Sequence, residues 1–231
     1  MIKVAISQPT YLPWLGYFQQ IAQVDSFVFL DTVQFEKQSW QSRNRIKDHQ
    51  DQLIWLSVPI QSHSLGAKIQ DIKLAQQGLN WQRKHLNSIS TYLGKTPYLK
   101  EVQQLLQAVF DQEFDKLADL NIALIRAFCQ KMGIKTQLLR ASELNVSGSK
   151  TDLLLQILQQ LDADCYYANQ GSRIYLEQEA SRFADLEIEL KYQQWVHPEY
   201  QQKGQGFISH LAWPDAVCHQ GFDAKLLQLL S

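Results

Sequence analysis

The sequence predicts an α/β fold: an open, mainly parallel, Rossmann-like sheet with a helical middle segment. Three observations carry this expectation. Strand, loop, helix and strand follow one another between Ile2 and Leu30, the order of a parallel βαβ unit. Strands and helices alternate again after Lys135. Between them, from about 79 to 133, apolar residues recur at three- and four-residue intervals.

Ile2–Ser7 is a short apolar run rich in β-branched residues and reads as a buried strand. Pro9, Pro13 and Gly16 break the next stretch into a loop, a short helix follows from Gly16 to Val24, and Phe27–Leu30 forms a second buried strand ending at Asp31. Leu53–Pro59 is a strand by composition, and the segment before it pairs with it as a hairpin through Asp48–Asp51. In the middle, Trp81, His85, Ile89 and Tyr92 share one helical face, as do Leu117, Leu120, Leu124 and Phe128, with Gly133 as a C-cap. Lys135–Leu139 is a strand. Ser149 and Asp152 resemble a capping box opening a helix with Leu153, Ile157 and Leu161 on one face. Cys165–Ala168 is a strand, Ile174–Phe183 a helix, Glu187–Lys191 a strand, and the tail from Phe222 a helix. No Pro/Gly/Ser-rich boundary appears, so the reading is a single α/β domain over 1–231 with a helical sub-lobe at about 79–133.

A chain of 231 residues is long enough to bury a sizeable core. A net charge of −1 provides no global field for nucleic acid or an anionic membrane, so recognition by charge must be local. Cys129, Cys165 and Cys218 form no CxxC pair and read as free thiols in a reducing compartment. The start of the chain lacks the apolar core of a signal peptide, and no stretch approaches the roughly 20 apolar residues of a membrane span, so the expected location is cytoplasmic. The histidines show no H-x-x-x-H or H-E-x-x-H spacing, so no metal site is expected. Dinucleotide, P-loop and nucleophile-elbow fingerprints are also missing.

The chemistry concentrates between Gln8 and Lys47. The loop after the first strand carries Gln8, Tyr11, Trp14 and Tyr17, in the place where open α/β sheets bind ligands. Indole and phenol rings there either cover the sheet or present flat faces to a sugar or a base. Asp31 either orients a ligand hydroxyl, binds a metal or accepts a proton, or it closes a turn. Arg43, Arg45 and Lys47 alternate, so an extended chain puts all three cations on one face, with Lys37 upstream and only Glu36 and Asp48 close in sequence to neutralise them. Guanidinium groups match phosphate or carboxylate oxygens, and the expected ligand is therefore an anionic small molecule. Outside this segment, His85 is either a core residue or a proton carrier. His197 lies in a polar loop, and Lys150 sits at a helix start where an anion would be favoured.

The segments QPTYLPWLGYF, Asp31, VQFEKQSWQSRNRIK and WLSVP, then WQRKH, SKTDLLLQI, YYANQGSRIYL, HPEYQQ and FISHLAWPDAVCHQG, resemble the WbqC-like family in the same order across nearly the whole chain. Ala212 and Trp213 stand where the family tends to have a more aliphatic stretch. The resemblance implies a bacterial protein associated with O-antigen and other surface-polysaccharide biosynthesis. Some members are named as transferases of amino-acid groups onto sugars. It places Gln8, Tyr11, Pro13, Trp14, Gly16, Asp31, Lys37, Trp40, Asn44, Arg45 and Lys47 on the family pattern, together with His85, Lys150, Asp152 and Tyr175.

The resulting expectation is a transferase moving an acyl or aminoacyl group onto a nucleotide-linked amino sugar. Its co-substrate is an acyl donor or nucleotide, and no cofactor is evident. Arg45, Lys47 and Lys37 would hold phosphates, and Trp14, Tyr11 and Trp40 would shape the sugar pocket. Asp31 or His85 would take a proton, and Asn44 would donate to the oxyanion. The alternatives are a nucleotidyltransferase-like enzyme and a non-catalytic sugar-nucleotide-binding or assembly protein. All of these place the guanidinium groups flanking Asn44 in one hollow with the Trp14 indole.

Overall fold

The computed structural model describes residues 1–75 and 80–222. The helical start expected at Leu79 and the helical tail from 223 onward lie outside the described residues. A five-stranded parallel sheet is formed by β1 (Lys3–Ser7), β2 (Ser26–Phe29), β5 (Gln137–Arg140), β6 (Cys165–Ala168) and β7 (Glu189–Tyr192). Its strand order is β5-β2-β1-β6-β7. Counted along the parallel strands alone, this is the 3-2-1-4-5 order of the doubly wound, Rossmann-like α/β fold. The antiparallel hairpin β3 (Arg43–Lys47) and β4 (Leu53–Ser57) is inserted between β2 and β5, turning at Asp48–Asp51 as its sequence predicts.

The period of two along each strand distributes its residues to two apolar layers. Ala5, Phe27 and Phe29 point into a core shared with α1 (Leu15–Ala22) and the middle helices α2 (Trp81–Tyr92), α3 (Leu99–Phe110) and α4 (Leu117–Met132). Val4, Ile6 and Val28 point to the other face, against α5 (Lys150–Gln160), α6 (Arg173–Gln178) and α7 (Ala180–Ala184). Phe18 of α1 stacks on Phe128 of α4 at 3.8 Å, so the middle helices share a core with the sheet. Gly133 ends α4 at φ 70°, where a side chain would be strained.

Three local expectations change. The helix expected over Ile174–Phe183 is broken at Glu179, whose N–H bonds three residues back to Leu176. Ser149 makes no side-chain cap, and Asp152 pairs with Arg182 instead of closing a capping box. A further helix, α8 (Trp213–Gln220), starts at Trp213–Pro214 and buries Trp213 against Phe128.

The loop joining β1 to α1 is buried, with Tyr11 and Leu12 fully enclosed. Buried loops are uncommon because their peptide groups need partners. Here two amide side chains provide them. Asn44 Nδ2 donates to the carbonyls of Tyr11 (3.1 Å) and Leu12 (2.7 Å), and Asn121 Nδ2 donates to those of Pro9 (3.1 Å) and Gln41 (2.8 Å). The Trp213 N–H takes the Pro13 carbonyl. Truncating Asn44 to Ala orphans two buried carbonyls, with an expected loss of about 2–4 kcal/mol in unfolding free energy, read from the urea midpoint.

Candidate functional site

A hollow of about 670 Å³ opens at the carboxyl ends of the parallel strands. Ser7 at the end of β1 and Leu30 beyond β2 line it, with Asn169 beyond β6 and Gln193 beyond β7. It therefore straddles the point between β1 and β6 where the strand order reverses, the place where open α/β sheets take ligands. A smaller recess of about 300 Å³ continues from it past Pro13 and Asn44, with Thr10, Trp14, Tyr17, Trp40 and His210 common to both.

Hydrogen bonds within the protein hold this wall in place. Ser7 Oγ donates to Gln20, whose amide donates to the Tyr167 carbonyl. Gln41 donates to Gln8 Oε1 at 2.7 Å, and the Tyr17 hydroxyl donates to the Gln8 carbonyl. Gln193 Nε2 donates to the Gly16 carbonyl and to Gln19, while its own carbonyl accepts from Gln170. No Asp, Glu, Lys or Arg is among the described residues lining the hollow. The site is neutral, made of amides, hydroxyls and rings. Such a surface suits a polyol or a heterocycle, because its fixed amides orient hydroxyls and its rings cover flat apolar faces.

Trp14 is the centre of the aromatic wall. Trp195 meets it edge-on at 5.1 Å, His210 lies at 4.2 Å and His197 is stacked at 6.0 Å. Trp14 folds back over the start of α1, so that a Cβ on Gly16 would lie 2.2 Å from the indole. His210 stands at φ 59°, an uncommon conformation outside glycine and one that often accompanies a functional constraint. Its Nδ1 is bonded to Ser209 Oγ at 2.8 Å, which leaves Nε2 for a ligand. Burial and, secondarily, the nearby Arg45 charge hold the His210 pKa below 6.5, so the ring is neutral at pH 7.

The residues expected to form one cleft are divided among several places. Gln8, Trp14, Trp40 and Tyr175 line the hollow. Arg45 reaches its rim, with its guanidinium 5.5 Å from the Trp40 ring and 5.7 Å from Trp55. Arg43 lies over Trp55 and, with Lys37, lines a separate cavity on the hairpin. The expectation that both guanidinium groups beside Asn44 share a hollow with Trp14 is therefore met only at the rim, by Arg45.

Lys47 is not available to a phosphate. Its ammonium is buried and paired with Asp51 at 2.8 Å, a carboxylate that sequence proximity to Glu36 and Asp48 alone did not suggest, and it also donates to the Gly206 carbonyl. Asn44 spends both amide hydrogens on the loop and has none left for an oxyanion. Tyr11 is enclosed, with its hydroxyl on His85 Nδ1 at 2.7 Å, and does not shape a pocket. Lys150 is exposed at the start of α5 and outside the lining.

Neither expected proton carrier faces the hollow. Asp31 is fully buried, and its carboxylate accepts from Arg140 (2.9 Å), the Ser142 N–H (2.9 Å) and the Ser142 hydroxyl (2.7 Å). It locks the end of β2 to the chain leaving β5. His85 is packed between Tyr11 and Trp81 with a hydrogen bond to the Ser57 backbone, and burial pushes its pKa down to about 4. The residues that sequence reasoning missed are His210, Trp195 and Gln193. They sit in coil or at a strand end, where spacing carries no signal; the readable hint was the density of rings and amides from Gln193 to Trp213.

A model of the WbqC-like protein family matches residues 8–226. The chain belongs to that family. It is also 30% identical to an uncharacterised protein of Mycobacterium tuberculosis (strain ATCC 25618 / H37Rv) over 227 residues, covering 97% of this chain and 96% of the relative. No solved structure matches it. Among the described residues of this WbqC-like protein, no helix is long and apolar enough to cross a membrane.

Two outcomes follow. His85 is neutral when folded, whereas an unfolded histidine gains a proton below about pH 6.5, so its stabilisation is complete above that pH and is lost as pH falls towards 4. The loss is on the order of 3 kcal/mol, and His85→Asn should flatten that slope in urea titrations at several pH values. Gly16→Ala should expel the indole from its seat, seen as a changed near-ultraviolet circular dichroism and tryptophan emission with the far-ultraviolet spectrum retained.

Proposed function

We propose that this WbqC-like protein is a transferase of bacterial surface-polysaccharide biosynthesis that moves an acyl or aminoacyl group onto a nucleotide-linked amino sugar. The observation that carries the reading is the neutral, amide- and ring-lined hollow at the strand-order reversal, with the His210 imidazole on its wall. In this reading the sugar or base lies against Trp14 and its hydroxyls meet Gln8, Thr10 and Tyr175, whose presence in the lining supports the reading. Arg45 meets the pyrophosphate at the rim.

In this reading His210 Nε2 takes the proton as the sugar amine attacks the acyl carbon. The C–N bond forms, the bond from the acyl carbon to its activating group breaks, and that group leaves with the electron pair. The neutral ring at pH 7 is what a base needs. Nucleotidyl transfer draws less support, because a triphosphate carries more charge than a pyrophosphate and needs several cations, and the described lining adds none to Arg45 at the rim.

The test combines calorimetry and tryptophan fluorescence with UDP- and dTDP-linked amino sugars, followed by turnover with acyl donors. Trp14→Ala should weaken nucleotide-sugar binding by about tenfold or more. His210→Gln should bind normally and lose on the order of 10²–10⁴ in turnover. The acid limb of the wild-type rate should lie at lower pH than for an ordinary histidine, because burial and then the Arg45 charge hold the His210 pKa down and keep its basic form to lower pH. Full turnover by His210→Gln would remove the base assignment, and the absence of binding by every nucleotide sugar would remove the substrate class.

A further inference from the structure

We propose that the WbqC-like protein carries a second ligand site, for a phosphate-bearing small molecule, in the cavity on the outer side of the β3–β4 hairpin. This site stands independently of what the Trp14 hollow binds. The cavity measures about 460 Å³ and is lined by Lys37, Arg43 and His63 with the hydroxyls of Ser42, Ser57 and Ser62. No carboxylate is among its described lining residues, and neither Lys37 nor Arg43 has an ion-pair partner among the described residues. Two cations, an imidazole and three hydroxyls thus converge with nothing of opposite charge between them.

Arg43 and His63 are held in place. The Arg43 guanidinium lies over the Trp55 ring, 4.3 Å from its centroid, a cation–π contact that holds the fork at the cavity. Its Nε is buried without a hydrogen-bond partner. The His63 ring is set edge-on against Phe35 at 5.1 Å. His63 Nδ1 lies 3.0 Å from the Ser64 carbonyl, an acceptor only, so Nδ1 carries a hydrogen. His63 Nε2 is likewise buried and without a hydrogen-bond partner. Buried polar atoms without partners are uncommon, and two of them belong to residues of this one cavity.

The spread of donors selects the ligand. A planar carboxylate is met by one fork, whereas a phosphate monoester offers three terminal oxygens to three separate side chains and their neighbouring hydroxyls. The cavity has room for more than the ion, and the partly buried Ile60 gives it an apolar surface for the organic group.

The experiment is calorimetry on the full chain with inorganic phosphate, phenyl phosphate and succinate, with ³¹P line broadening as a second readout. Both phosphates should bind and succinate should bind at least about tenfold more weakly. Tighter binding of phenyl phosphate identifies an ester as the ligand, and equal binding identifies free phosphate. Arg43→Gln should weaken phosphate binding about tenfold or more. Since that change also removes the cover of Trp55, the exposed Lys37→Ala is the second variant, and it too should weaken phosphate while leaving the tryptophan-detected binding of sugar nucleotides unaltered. Failure of both phosphates to bind, succinate binding as tightly as phosphate, or undiminished phosphate affinity in Lys37→Ala would each overturn the site.

Discussion

The buried loop between β1 and α1 is the constraint on which the rest of the molecule depends. Its backbone passes through the interior, where each peptide carbonyl without a partner costs free energy. Asn44 and Asn121 reach it from the hairpin and from α4, and the Trp213 N–H reaches it from α8. Three elements that are distant in sequence are therefore tied to one loop. That loop in turn sets Trp14 over Gly16 and forms the wall of the hollow. The amides conspicuous in the sequence are largely braces, and this gives the hollow its fixed shape.

The same economy explains where the charges went. An ion buried without a partner is costly, so Lys47 meets Asp51, and Asp31 meets Arg140 and Ser142. Lys47 also donates to the Gly206 carbonyl and Asp51 accepts from the Gln205 N–H, which ties the hairpin to that segment, while Asp31 ties β2 to the chain after β5. His85 joins the core as a neutral ring because the Tyr11 hydroxyl and the Ser57 backbone satisfy it there. With those groups committed to architecture, the hollow is left neutral, with the His210 imidazole on its wall.

Cations and rings then fall in two neighbouring regions of one hairpin. Trp40 lines the hollow with Arg45 beside it, while Arg43, Lys37 and His63 line the separate cavity. The Trp40 and Trp55 indoles are stacked at 5.8 Å and both close to half exposed, with Arg45 near both rings and Arg43 over Trp55. The hollow thus presents rings and amides, and the cavity presents cations and hydroxyl-bearing residues.

Much of this architecture was legible in the chain. Periods of two and of three to four residues marked the strands and helices, because each must bury a face. The position of the loop after β1 marked the hollow, because strand ends in an open sheet leave a crevice. The aromatic loop and the family resemblance pointed to Gln8, Trp14, Trp40 and Tyr175, which line it. Partnership was not legible. Whether Asp31, Lys47, Asn44 or His85 is free for chemistry depends on Arg140, Asp51, the loop carbonyls and Tyr11, which lie close only after the chain has folded. His210 and Trp195 lie in coil and come to Trp14 across nearly the length of the chain. Sequence alone determined the class of fold and the segment around which the site is built; tertiary structure decided which groups remain unpaired, because a side chain's availability is set by its neighbours in space.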